Sequence, residues 1–206
     1  MSRKVFDTIT STGAAVVVVV LVVAGGLLTW GHHFVNSNVR TQLAQQQIYF
    51  PPKAAFAHPK AGTEITPSMI PSVSQYAGQQ LLTGQQAEVW SNDFMAVHLY
   101  NMPYHGVYAK VSAAARATPT NKALAALDQT SFQGTTLRGL LLEAYAFSKT
   151  GQIMLWGAIA SFVLAFVLAI LVGLGFWHAA RTPEEARLLS QEARLLSPEA
   201  QAVPAH

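Results

Sequence analysis

The residues with the most chemistry in this sequence are Met95, His98, Met102 and His105, at positions i, i+3, i+7 and i+10. On an unbroken helix they would form one stripe, and thioether with imidazole is a ligand set that suits soft copper. Pro103 interrupts the helix between the third and fourth of them, and the spacing matches no closed metal-ligand motif. The competing reading is a half-buried helix face, with methionine filling gaps and histidine hydrogen-bonded. Met95, His98 and His105 are therefore kept as metal candidates only, and no bound metal or cofactor is expected.

Two other groups weigh less. Glu88, Asp93 and His98 are acid–base types, but steps of five scatter around a helix axis, and no Ser/His/Asp arrangement or phosphate-binding glycine loop accompanies them. His32 and His33 follow Trp30. They could ligate haem or titrate near a quinone, but an interfacial pair anchoring a helix end is the simpler reading. No catalytic residue emerges, and the chain is not expected to be an enzyme.

The elements that must position these residues begin with composition. Apolar residues make up 51% of the 206, and charged residues 11%. Soluble domains carry about 25% charged residues, so a membrane class is favoured. A net charge of +3 without a dense basic run sets nucleic acid aside. There is no cysteine, which excludes disulfides, thiolate ligands and a Cys nucleophile.

Two segments read as transmembrane helices, 10–34 and 152–177. The first has an uncharged centre from Gly13 to Gly31, and nothing from Thr150 to Trp177 is charged. About 20 apolar residues cross a bilayer as a helix. The first segment exceeds the apolar core of a cleaved signal peptide, so an uncleaved anchor is expected. Trp30, Trp156 and Trp177 suit the interfacial aromatic belt. Arg3 and Lys4 precede the first span, and Arg181, Arg187 and Arg194 follow the second. This places both termini (1–9 and 178–206) in the cytoplasm of a multi-pass cell-membrane protein. Segment 35–151 then lies outside.

That segment reads as mainly helical. Helix continues from Asn36 to Tyr49, and prolines make 51–72 irregular. Thr83 and Gln86 form a capping-box pattern for a helix carrying Trp90, Phe94 and Val97. Pro103 ends or bends it. A helix over Val107–Arg116 and another after Pro119 follow, and Leu137–Lys149 runs on into the second span. No strand is expected. The fold class is thus an all-α membrane protein, with two transmembrane helices flanking a helical extracytoplasmic domain.

Two surfaces could bind partners. Gly157, Ser161, Ala165, Ala169 and Gly173 are small residues four apart, a spacing that lets another helix approach closely with right-handed crossing. Ala158 would then fall on a different face, where a larger side chain should cost little if that face meets lipid. In the tail, two copies of EARLLS place Leu188, Leu189, Leu195 and Leu196 on one stripe of a short amphipathic helix. Expected partners are the lipid bilayer and either a second copy or a larger membrane complex.

The stretches YAGQQLLTGQQAEVWSNDFMAVHL (Tyr76–Leu99), GVYAKVSAAARATP (Gly106–Pro119) and FQGTTLRGLLLEAYAFSKTG (Phe132–Gly151) resemble an uncharacterised family of two-span membrane proteins of actinobacteria. The resemblance covers over half the chain. It implies the same architecture in a Gram-positive setting and supplies no activity. The function expected is a non-catalytic accessory or scaffolding subunit. The alternative is a metal- or cofactor-binding accessory of a membrane redox enzyme.

Overall fold

The computed structural model describes residues 3–181, and the tail leucines 188, 189, 195 and 196 lie outside them. All regular structure among the described residues is helical. Six α-helices are α1 (Arg3–Gln46), α2 (Ile70–Val73), α3 (Gly84–Val89), α4 (Ala96–Tyr100), α5 (Tyr108–Ala117) and α6 (Lys122–Arg181). A π-helical turn, Trp90–Met95, joins α3 to α4. α1 and α6 are each long and apolar enough to cross a membrane. Contacts divide the chain into two units, Met1–Leu27 with Gly157–His206, and Leu28–Trp156.

In the first unit α1 and α6 run antiparallel. Asp7 lies 3.9 Å from His178, Ser11 meets Gly175, and Gly25 lies under the Phe162 ring. The covered and partly covered positions on α1 include Asp7, Ser11, Ala14, Ala15, Val18, Leu21, Ala24 and Gly25. On α6 they include Gly157, Ala158, Ser161, Ala165, Leu168, Val172, Gly175 and Ala179. Apart from Ala15, Ala24 and Gly157, which flank the stripe, both series alternate steps of three and four, a mean of 3.5 residues. That is the period that keeps a left-handed helix pair facing its partner. Small residues at Ser11, Gly25, Ala158, Ala165 and Gly175 bring the backbones close. Most of the remaining surface is uncovered: the most apolar 18-residue stretch of each long helix is only 6% buried.

The pairing of α1 with α6 uses only part of the small-residue ridge read from the sequence. Ala165 is buried, and Gly157 and Ser161 are partly covered, but Ala169 and Gly173 are exposed. Ala158, expected on a different face, is 2% exposed. A four-residue step turns 400° and drifts about 40° each time, whereas alternating three and four drifts only about 20° per seven residues, which a left-handed supercoil absorbs.

The second unit has a conventional core. Val39 and Leu43 of α1, Leu141 of α6 and Ala87 of α3 enclose Phe50, Ile65, Met69, Val73 and Leu81 from the irregular connection. Each fully buried large apolar side chain contributes about 1.5–3 kcal/mol, which is how a proline-interrupted segment with little regular structure is held. Its backbone is fixed by Phe50 N–H donating to Gln79 at 2.9 Å and Leu81 N–H donating to Ile48 at 2.9 Å.

The capping box opens α3 as expected. The Thr83 hydroxyl accepts from Gln86 N–H at 3.2 Å, and the Gln86 side chain accepts from Thr83 N–H at 3.0 Å. Gly84 is required here, because any Cβ would collide with Ser148 of α6. One expectation changes: the helix after Pro119 and the helix at Leu137–Lys149 are a single 60-residue helix, α6. Asn121 begins it, its side-chain oxygen accepting from Ala123 and Leu124 N–H, both at 3.1 Å. No residue between Asn121 and Arg181 is a proline, so nothing breaks it.

Candidate functional site

The chemistry-bearing residues lie along the arm formed by α3, the π turn and α4. A π turn adds a residue to the helical turn, misaligns the backbone ladder and is frequent at functional sites. Ser91 starts the repair. It is fully buried, its carbonyl accepts Ala96 N–H, and the same carbonyl accepts from Arg138 Nε at 3.2 Å. Ser91 Oγ donates to the Arg138 carbonyl at 3.2 Å, and Arg138 Nη2 donates to Asn92 Oδ1 at 3.0 Å. One arginine of α6 thus ties down the irregular turn.

An aromatic series runs along the arm. Tyr76 packs on Phe50 at 5.2 Å between ring centroids, Phe50 meets Trp90 edge-on at 5.1 Å, and Trp90 stacks on Phe94 at 4.3 Å. Phe94 continues to His98 at 4.5 Å. His98 Nδ1 lies 2.8 Å from the Phe94 carbonyl. A carbonyl only accepts, so Nδ1 is the protonated nitrogen, and in the neutral ring Nε2 keeps its lone pair.

Met95, His98 and Met102 line one side of a cavity of about 290 Å³, with Thr130, Gln133 and Gly134 of α6 opposite. The sequence stripe therefore holds for three of its four members. His105 leaves it: Tyr104 and His105 take left-handed backbone angles (φ 61° and 54°) after Pro103. The His105 ring stacks on Tyr100 at 4.4 Å and is exposed. The turn closes at Gly106, φ 62°, where a Cβ would strike the Leu99 carbonyl. The buried Ser131 hydroxyl donates to the Gly106 carbonyl at 2.8 Å. Glu88 and Asp93 do not join His98: no group of three His, Asp or Glu side chains could hold a metal among the described residues.

His32 is a structural tie. Its Nδ1 donates to the Gly151 carbonyl of α6 at 2.8 Å, and Asn36 Nδ2 lies 3.2 Å from Nε2. The same Asn36 nitrogen lies 3.2 Å from Nδ1 as well. Sequence reasoning read the pair as an interfacial anchor. The i, i+4 relation of His32 to Asn36 was the signal for a local partner.

A groove of about 380 Å³ also runs between α1 and α6 within this unit. Its floor includes Val39, Leu43 and Leu141, and its rim carries Asn38, Gln42, Gln46 and Glu143. Sequence reading missed it, because it exists only where two helices distant in sequence diverge.

Among the described residues, these features define an all-helical fold with two helices long and apolar enough to cross a membrane. No family model matches the chain, no curated protein is similar to it, and no solved structure matches it.

Proposed function

We propose that the protein is an integral membrane subunit of the cell membrane that scaffolds a larger assembly, or its own oligomer, without catalysing a reaction. The observation that supports this is the uncovered apolar surface of α1 and α6. Exposed apolar area of that extent is stable only against lipid or another protein. Both termini are cytoplasmic in this reading. Arg3, Lys4 and Arg181 argue for that side, and Asp7 beside His178 argues for the same side for both ends. The second unit then stands outside the membrane, as in the actinobacterial two-span proteins that the sequence resembles.

The experiment is chemical crosslinking in native membranes followed by mild detergent extraction. A defined higher-mass species, composed of this chain or of this chain with a recurring partner, is the expected result. A monomer with no recurrent companion would overturn the scaffolding role. Protease added to intact spheroplasts should cut the second unit and spare a C-terminal tag; loss of the tag with sealed membranes would reverse the orientation.

A second reading, an accessory of a membrane redox enzyme that carries a metal, is favoured by one observation: Met95, His98 and Met102 share a cavity.

A further inference from the structure

We infer that the cavity between α4 and α6 is a copper(I) site, with Met95, His98 and Met102 supplying two thioether sulfurs and one imidazole nitrogen. The inference is independent of the scaffolding role.

Three observations carry it. The first is convergence. Pro103 and the left-handed turn remove His105, but Met95, His98 and Met102 still line one cavity of about 290 Å³.

The second is the histidine's hydrogen bond. Metal-bound histidine usually donates its other ring N–H to a carbonyl or carboxylate, which fixes the tautomer and the ring's direction. His98 already does this: Nδ1 donates to Phe94 at 2.8 Å, and the Phe94 ring packs against the imidazole. Nε2 is left as the nitrogen with a free lone pair.

The third is the charge and softness of the lining. No carboxylate borders the cavity; its oxygen donors are the neutral side chains of Thr130 and Gln133. Calcium and magnesium need carboxylate or many oxygen ligands. Structural zinc sites are closed by thiolates and imidazoles, and the chain has no cysteine. Thioether sulfur is a soft donor that selects copper(I). Thioether sulfurs carry no titratable proton. They also cannot form disulfides.

The test uses the full chain purified in detergent, with copper(I) supplied anaerobically and competed against bicinchoninate. One copper per chain should be retained, and X-ray absorption should show sulfur in its coordination shell. Met95→Leu and Met102→Leu should each weaken binding at least tenfold, and His98→Gln should do the same. Leucine for methionine nearly conserves volume, so an unchanged melting curve separates lost ligation from lost folding. His105→Ala should bind as the parent does. Failure to hold copper against the competitor would overturn the site. So would equal affinity in all four variants, or a shell of nitrogen and oxygen only, which would place the metal on surface histidines.

Discussion

Ser91 and Arg138 exchange hydrogen bonds in both directions across 47 residues of sequence: Ser91 Oγ donates to the Arg138 carbonyl, and Arg138 Nε donates to the Ser91 carbonyl. The arginine side chain and a helical carbonyl are thereby used together to hold the π turn on α6. The two residues should be energetically coupled. Ser91→Ala and Arg138→Met should each cost about 1–3 kcal/mol, the range for stranding a buried polar partner. The double variant should cost clearly less than their sum. Chemical unfolding of the three variants measures this, and strict additivity would show that the contacts are incidental.

Gly106 carries a different kind of constraint. Its φ of 62° disfavours any side chain, and a Cβ would also meet the Leu99 carbonyl. Gly62 has φ 81° with nothing within 4 Å. Gly62→Ala should therefore cost roughly 1–2 kcal/mol from backbone strain alone, and Gly106→Ala distinctly more. Thermal melting followed by circular dichroism distinguishes them; equal losses would mean that the turn relaxes to admit the methyl group.

The helix pair of the first unit gives a differential test of its period. Ala158 and Ala165 are 2% and 4% exposed, while Ala169 is exposed. Leucine at either buried position should overpack the interface, at about 1–3 kcal/mol. Ala169→Leu should be close to neutral. All three raise hydrophobicity equally, so insertion is not the variable. Thermal stability in detergent is the measurement, and destabilisation by Ala169→Leu with tolerance at Ala158 would restore the four-residue ridge.

Gln86 does more than close a capping box. Its Oε1 accepts from Leu82 N–H at 2.8 Å and Thr83 N–H at 3.0 Å, and its Nε2 donates to Gln79 Oε1 at 3.1 Å. Thr83→Ala should cost about 1 kcal/mol, the usual value of an N-cap. Gln86→Ala should cost more, because it removes the acceptor of two part-buried backbone N–H groups together with the bond to Gln79. Urea titration of both variants decides; a smaller loss for Gln86→Ala would show that solvent replaces its side chain.

The sequence alone determined the features whose causes are local. Two long uncharged apolar runs specify two long apolar helices, because the signal is carried by consecutive residues. Thr83 with Gln86 specifies a helix start, and Pro103 specifies its end, because each acts through backbone groups a few positions away. The sequence also placed Met95 and His98 on one stripe, since a helix face needs only spacing; Met102 lies beyond the end of α4 and joins them at the cavity.

Tertiary structure decided whatever depends on which surfaces meet. Residues 157–179 carry small side chains on several faces, so a four-residue and a 3.5-residue repeat were both readable, and only α1 packing opposite selected the second. The groove between α1 and α6, the tie from His32 to Gly151 and the grip of Arg138 on the π turn each join residues far apart in sequence. Spacing along one chain segment carries no information about a partner that arrives from another, and the π turn at Trp90–Met95 is stable only because such a partner satisfies it.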